Sequence, residues 1–308
     1  EVVNAGRGDY QSRLNTVRSL KADIAIDLNG WTGGHFLRGF AARVAPVQVN
    51  YLGYFATTGL ETMDWWLGDD QLFPAVTDEW HSERLFRLPR CFIAWQPQSP
   101  LPEASLDVVE SAPSGGVRFG SFNHNRKLSD EVLHLWGLLI STLPGSSLVL
   151  KANEVDDHPT QELLRRRMVR QGLDPERVIW LPRTTDEVSH LQQYRHIDIA
   201  LDTFPNGGCT TTCEALWMGT PVITMKGRTY VSRMSTAVLD GAGMADWCAS
   251  SPQDYLQIAK KQADRIMWLR QNREHWRSQL QSNPLGNASD LMRHLDHAFV
   301  QMASTASR

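Results

Sequence analysis

Disulfide chemistry has little to work with in this sequence: its 308 residues contain four cysteines, and Cys91, Cys209, Cys213 and Cys248 show none of the short spacings of a disulfide framework. No apolar run approaches the roughly 20 residues that a membrane-spanning helix needs. Net charge is almost absent, 31 Lys and Arg against 34 Asp and Glu leaving −3 at neutral pH. Proteins of nucleic acids or membrane surfaces usually carry a basic face, which this balance does not suggest. No solenoid repeat is present. Metal-ligand sets are missing as well: Asp69-Asp70 and Asp156-Asp157-His158 offer no full set, and Cys209 with Cys213 lacks a second pair. These absences lead to the expectation of a cytoplasmic protein with no nucleic-acid or membrane partner and no metal. What is there, 42% hydrophobic and 21% charged residues, suits an α/β protein of one large or two ordinary domains.

One stretch organises the rest. Residues 197–201 form a short apolar run of the length of a buried parallel strand, and Pro205-Asn206-Gly207-Gly208 is turn chemistry that ends it. Thr210, Thr211 and Thr212 lead into helix formers over 213–218, Gly219 with Pro221 stops that helix, and 221–225 reads as the next strand. In a strand, glycine loop, helix, strand unit, the free N–H groups and positive dipole end of the helix meet the carboxyl ends of parallel strands. That is a place for a phosphate. Glu214, about one turn further in, can accept hydrogen bonds from a ribose diol. The same residues equally make a plain N-cap and a dipole complement, and the stretch alone does not separate the two.

Taken in order, the chain enters at a helix over 10–20 and a strand over 23–28, followed by the loop Asn29-Gly30-Trp31-Thr32-Gly33-Gly34-His35. A helix over 36–44, a strand over 47–52 running into a loop that ends at Gly59, and a strand from Trp65 to Asp69-Asp70 come next, then a short helix or turn over 82–89. An α/β domain entered at a helix is expected to lack preceding strands, so the first domain reads as N-terminally truncated. Pro, Ser and Gly with scattered acids over 97–116 give a linker signature. Strands over 117–122, 147–151 and 178–181 then alternate with helices over 129–143, 160–171 and 185–193 up to the central stretch, which predicts a parallel doubly wound sheet. Amphipathic helices are expected over 254–273 and 291–303. The organisation is thus a partial first domain over 1–110, a second over 111–285, and a terminal helix over 286–308 packing back on the first.

Several side chains invite chemistry and also admit plainer roles. Lys127, in the polar loop that follows a strand and opens a helix, is a compact charge for clamping a phosphate or a solvated surface lysine. His190 reads as an exposed helical histidine unless its neighbourhood says otherwise. His35 is a candidate base or the end of a glycine loop. The Trp and Phe residues between Trp65 and Trp95 read as core.

With these stretches in view, the chain resembles the catalytic region of O-linked N-acetylglucosamine transferases, and most of all their bacterial SPINDLY-like relatives, in which tetratricopeptide repeats precede that region. The resemblance runs over nearly the whole chain on ordered motifs: Asp-Leu-Asn-Gly-Trp-Thr-Gly-Gly-His at 27–35, Ala-Pro-Val-Gln-Val-Asn-Tyr-Leu-Gly-Tyr at 45–54, Gly120-Ser121-Phe122-Asn123, and 201–221. It implies an α/β fold of the GT-B type, two Rossmann-like doubly wound domains facing a cleft, with a nucleotide-sugar donor held mostly by the second.

Carried over by matching position, the resemblance implies Lys127 on the donor diphosphate and Thr210 and Thr211 binding phosphate at the helix N-terminus. Glu214 would bind the ribose where animal relatives have Asp, His190 would pack on the nucleoside, and Thr184 and Thr185 would border the base. His124 takes the place of a family Gln near the diphosphate, and Cys209 stands where animal relatives carry His. Thr32, Gly53, Thr57 and Thr58 would form the acceptor and sugar loop, with His35 joining Lys127 as a catalytic residue. Phe55-Ala56 replaces the Pro-Gly of the family's Gly-Tyr-Pro-Gly-Thr loop, a change that bears on acceptor or sugar fit, and the family's early histidine-bearing loop would lie before Glu1.

The implied chemistry is inverting displacement at the anomeric carbon by a protein Ser or Thr hydroxyl, with Lys127 and the helix N-terminus stabilising the leaving diphosphate and no metal or other cofactor required. UDP-GlcNAc is the expected donor and protein Ser/Thr the acceptor. Plant SPINDLY relatives use GDP-fucose, which leaves base and sugar open. A nucleotide-sugar epimerase would share the diphosphate site without a protein acceptor, and a non-catalytic donor-binding scaffold would bind nucleotide without turnover.

Overall fold

Every strand pairing among the described residues is parallel, as the alternation of strands and helices requires. The computed structural model describes residues 4, 6, 8–76, 79–99, 116–151 and 157–306. The chain divides into two compact units, Glu1–Ile93 with Ala288–Arg308, and Ala94–Asn287. The expected boundary at 110 and 111, like most of the expected linker, lies outside the described residues.

In the first unit, α1 (Tyr10–Ser19) starts where the Asp9 carboxylate accepts the amide of Ser12 at 2.8 Å. Strands β1 (Ile24–Asp27), β2 (Val47–Asn50), β3 (Trp65–Asp69) and β4 (Arg84–Leu88) form a sheet in that order, with α2 (Leu37–Ala41) between β1 and β2. The segment read as a short helix or turn over 82–89 is therefore a strand. Five residues of β4 register on β3, from Arg84 on Trp65 to Leu88 on Asp69, and Arg84 lies 3.9 Å over the Trp65 ring; pairing with a neighbour outweighs local propensity here. Leu14, Leu37, Phe40, Val44 and Met63 form the core under the helices. The terminal helix Ala288–Ala306 packs on β2 and β4, and Asp290 pairs with the buried Arg90 at 3.0 Å. Of the aromatics expected as core, Trp66 is buried but Trp80 is exposed.

The second unit carries β5 (Arg118–Ser121), α3 (Asp130–Thr142), β6 (Ser147–Leu150), α4 (His158–Arg170), β7 (Val178–Trp180), α5 (Glu187–Gln192), β8 (Ile199–Leu201), α6 (Thr210–Trp217) and β9 (Val222–Met225). Then follow α7 (Tyr230–Gly241), β10 (Cys248–Ala249), α8 (Pro252–Ala263), α9 (Ile266–Gln271) and α10 (Arg273–Ser282). The sheet order is β10-β9-β8-β5-β6-β7. The chain thus runs outward from β5 to β7 and returns to β8 on the other side of β5, which makes the gap beyond β5 and β8 a topological switch point.

Three differences from the sequence reading stand out in this unit. Helix α6 begins at Thr210, so the threonines form its first turn and Cys209 is the N-cap, without a side-chain capping bond. The helix expected over 254–273 is broken, because Arg265 (φ −109°, ψ 23°) and Asn272 (φ −120°, ψ 37°) leave helical geometry and give α8, α9 and α10. Helix α7 and β10 have no counterpart in the reading.

Beneath the sheet, Asp198 accepts Arg118 Nη2 at 3.0 Å and Arg270 Nη2 at 2.8 Å with its side chain fully buried. Arg273 donates to the carbonyls of Tyr194, Met218 and Ile197, which ties the end of α6 to the residues before β8, and burial pushes its guanidinium down to about 10.

Candidate functional site

The switch point is closed by a pair of side chains. Asn123 follows β5 and Asp202 follows β8, and Asn123 Nδ2 donates to Asp202 Oδ1 at 3.1 Å. Asp202 also accepts the amide of Gly208 at 2.8 Å and the Thr224 hydroxyl at 2.7 Å, so one buried carboxylate fastens the glycine loop to the ends of three neighbouring strands. With the loop held this way, the first-turn amides of α6 have no carbonyl one turn behind them and keep their donors for a ligand. A Cβ at Gly208 would come within 2.5 Å of Thr211 Oγ1, so a side chain there would crowd the mouth of the helix.

Lys127 stands on the other side of the same loop. Its ammonium donates to the Gly207 carbonyl at 2.7 Å and reaches Asn123 Oδ1 at 3.4 Å. Burial lowers its pKa, and the Asp202 and Cys209 charges only partly offset that. The plainer expectation of a solvated surface lysine does not describe it. His124 caps the short 3₁₀ turn Asn125–Lys127, its Nδ1 accepting the amide of Arg126 at 3.2 Å.

A cavity of about 540 Å³ opens beside the N-terminus of α6, and His124, Thr184, Thr185, His190, Thr210, Thr211 and Glu214 all line it. Lys127 and Cys209 are not among its wall residues. His190, expected as an exposed helical histidine, is partly buried here: its Nε2 lies 3.3 Å from Glu214 Oε2 and its Nδ1 lies 2.5 Å from Lys151 Nζ. Tyr194 supports the same carboxylate from below, its hydroxyl 3.3 Å from Glu214 Oε2 and 3.1 Å from the Thr211 carbonyl. Burial, then the Glu214 charge, raises the Tyr194 phenol well above its ordinary value, which keeps it a donor. Phe122 fills the floor, 4.3 Å from Tyr194 between ring centroids. At the rim, Glu187 accepts the amides of Gln98 and Ser99 at 3.1 Å and 2.9 Å, bonds that hold its carboxyl below the usual range.

The N-terminus of α6 thus lies at one end of the cavity and the Glu214 carboxylate, beside the tilted and edge-on rings of Phe122, His190 and Tyr194, at the other. The model of glycosyl transferase family 41 matches residues 13–109 and 105–295. This chain belongs to that family. It is 34% identical over 295 residues to the probable UDP-N-acetylglucosamine–peptide N-acetylglucosaminyltransferase SPINDLY of Oryza sativa subsp. japonica, covering 96% of this chain and 32% of that protein. The chain therefore spans about a third of the length of such curated relatives. The O-GlcNAc transferase of Thermobaculum terrenum superposes with a TM-score of 0.86 at 32% identity, over 97% of this chain and 56% of that one. Sucrose-phosphate synthase from Thermosynechococcus elongatus shares the fold alone, with a TM-score of 0.55 at 12% identity over 96% of this chain and 79% of that one. The fold of the family 41 chain is GT-B, α/β with Rossmann-like parallel sheets.

The remaining sequence-predicted residues of the family 41 chain lie in its first unit. His35 is half-buried, with Nδ1 3.4 Å from the Leu37 amide and its ring edge-on to Trp31 at 5.3 Å. Thr32 is exposed and donates to the Asn29 carbonyl at 2.7 Å. Thr57 and Thr58 give their hydroxyls to the buried Glu83, at 2.5 Å and 2.6 Å, and the Thr58 amide joins them at 2.7 Å. Gly53 packs so closely that a Cβ would stand 1.7 Å from the Leu28 carbonyl oxygen. Leu52 before it has φ 75°, and the Gly53 amide bonds back to the Tyr51 carbonyl at 3.1 Å, which makes a strained three-residue turn at the end of β2.

Asp202, Asn123, Lys151 and Tyr194 are site residues that sequence reasoning passed over. A signal existed for three of them: each polar residue stands just past a short apolar strand, where carboxyl ends of parallel strands gather. Tyr194 had none. Among the described residues no group of three or more His, Cys, Asp or Glu could hold a metal ion, and no helix is long and apolar enough to cross a membrane. Asp69 spends its carboxylate on the amides of Gln71, Leu72 and Phe92, and Asp157 caps α4.

Proposed function

We propose that this region transfers N-acetylglucosamine from UDP-GlcNAc to Ser or Thr hydroxyls of proteins with inversion at the anomeric carbon. The observation that carries the reading is the joint occupancy of one cavity by the N-terminus of α6 and by the Glu214–His190 pair, with Lys127 bonded to the glycine loop beside it. The names of the rice and Thermobaculum relatives support the donor and the acceptor class.

In this reading the diphosphate lies against Thr210 and Thr211, the ribose diol donates to Glu214, and the nucleoside rests on His190 with Thr184 and Thr185 along the base. The acceptor oxygen bonds to the anomeric carbon while the bond from that carbon to the diphosphate breaks, and its electron pair goes to the phosphate oxygen. That developing charge meets the positive end of α6, equivalent to about half an elementary charge, and the ammonium of Lys127. Stabilisation that grows as the bond breaks accelerates the step, and it needs no metal. His35 is proposed as the group that takes up the hydroxyl proton, with Thr32, Gly53, Thr57 and Thr58 shaping the acceptor and sugar side and Cys209 and His124 flanking the diphosphate. A protein acceptor and a cytoplasmic setting, without nucleic-acid or membrane partners, belong to the same proposal.

Calorimetric titration with UDP, GDP and their sugar conjugates, followed by transfer from UDP-GlcNAc to a protein acceptor, tests it. UDP binding tighter than GDP, lost in Glu214→Ala, together with sugar appearing on the acceptor, is the expected result. Release of free altered sugar, or binding without any turnover in the full-length protein, would sink it.

A further inference from the structure

Lys151 has no role in the reaction as drawn above. It ends the apolar run of β6 at the carboxyl edge of the sheet and is 6% exposed, yet it lines the cavity. Its Nζ lies 2.5 Å from His190 Nδ1, 3.1 Å from Thr184 Oγ1 and 5.6 Å from the centre of the Phe122 ring.

The direction of these bonds follows from the donor. An ammonium has protons and no lone pair, so both His190 Nδ1 and Thr184 Oγ1 must accept. A ring nitrogen that accepts carries no proton, which places the imidazole N–H of His190 on Nε2, 3.3 Å from Glu214 Oε2. Thr184 spends a lone pair on the lysine and keeps its hydroxyl proton for another acceptor. Glu214 Oε2 is taken by His190 and Tyr194, while Oε1 receives no hydrogen bond among the described residues.

We propose that Lys151 is a positioning residue that sets the hydrogen-bond polarity of the nucleoside wall: it fixes His190 as the Nε2–H tautomer, makes Thr184 a donor toward a base carbonyl, and leaves Glu214 Oε1 as the acceptor for the ribose diol. Lys127 does not do this, because it bonds to the glycine loop and is not among the residues that line the cavity. The tautomer assignment stands on this geometry with Lys151 protonated. Its consequence for the ligand rests on the donor-site reading.

The test is nitrogen-15 NMR of the imidazoles in the histidine-labelled chain, with the His190 signal assigned by loss in His190→Gln, followed by UDP titration of Lys151→Met, Lys151→Arg and Thr184→Val. Wild-type His190 is expected as the Nε2–H tautomer. Lys151→Met is expected to admit the Nδ1–H form and to bind UDP roughly tenfold more weakly, the scale of one lost hydrogen bond. Lys151→Arg restores the tautomer, and Thr184→Val weakens UDP without moving it. A wild-type ring protonated on Nδ1 overturns the proposal with no variant needed, so a Lys151→Met chain that does not fold leaves it decidable. A tautomer or an affinity unchanged in folded Lys151→Met overturns it as well. Should wild type show the expected tautomer but bind no nucleotide, the donor-site reading falls and the tautomer assignment holds.

Discussion

Lys127 Nζ lies 2.7 Å from the carbonyl oxygen of Gly207, so the ammonium is fastened to the loop that precedes the helix rather than extended into solvent. Burial lowers its pKa, so the folded lysine gives up its proton at lower pH than an unfolded one. Between those two values the unfolded chain binds more protons, and stability from this group rises with pH. The proposed diphosphate binding has the opposite sign, because the charge that would attract it is lost over that interval. UDP affinity is expected to fall on the alkaline side, starting below the pH at which a free lysine titrates, while Lys127→Met binds weakly and shows no such limb. Titration across that range checks it; a flat wild-type profile sinks the assignment.

Glu214→Gln keeps the shape of the proposed ribose contact and removes its charge. Hydrogen bonds to a charged group contribute about 1.5–3 kcal/mol, so UDP binding is expected to weaken by roughly ten- to a hundredfold. Pyrophosphate, which has no ribose, is expected to bind both forms equally. Equal loss of both ligands would show that Glu214 acts through the fold instead.

Asp198 is the acid-sensitive point of the second unit. Burial works to raise its pKa, but the hydrogen bonds from Arg270 and Arg118 outweigh it and the net shift is downward. A lowered carboxyl contributes stability that is present above its unfolded value and lost as pH falls through the folded one. Thermal stability of the chain is expected to drop through the range below ordinary carboxylate titration. Asp198→Asn, which leaves the buried Arg118 and the half-buried Arg270 short of their partner, is expected to cost about 3–5 kcal/mol near neutral pH and to flatten that acid slope. Melting curves across pH decide both.

In the first unit, Glu83 accepts from the hydroxyls of Thr57 and Thr58 and from the Thr58 amide while almost fully buried. Glu83→Ala is expected to destabilise by about 3 kcal/mol, since it leaves several donors without a partner. Hydrogen exchange is the sharper readout: the Thr58 amide should lose protection in the variant while the amides of α6 keep theirs.

Much of this arrangement is legible from the chain. The run at 197–201, the turn at Gly207-Gly208 and the stop at Gly219 each carry a local signal, and the strand, loop and helix lie where those signals fall. Arg84–Leu88 is harder, because what makes it a strand is its register on Trp65–Asp69, which no local pattern contains. The break between α8 and α9 is likewise set by packing, since nothing at 264–265 is a glycine or proline. By local pattern the threonines are a lead-in to the helix; in the fold they are its first turn. Lys151 and Asp202 follow strands as plainly as Asn123 does, but a single charged residue past a strand is common, and only the partners that fold around it distinguish these. Tyr194 acts through a hydroxyl that meets Glu214 across 20 residues of sequence, a relationship that exists only in three dimensions.

Asp202 joins the Gly208 amide, Asn123 and Thr224 in one cluster of bonds. Two of its three donors are side chains from separate segments of the chain, so a lineage that loses either Asn123 or Thr224 leaves the buried carboxylate short of a partner until Asp202 changes too. Single steps away from this arrangement pass through weaker intermediates. Family members that diverge from this sequence should therefore either keep Asp202, Asn123 and Thr224 together or have replaced them together.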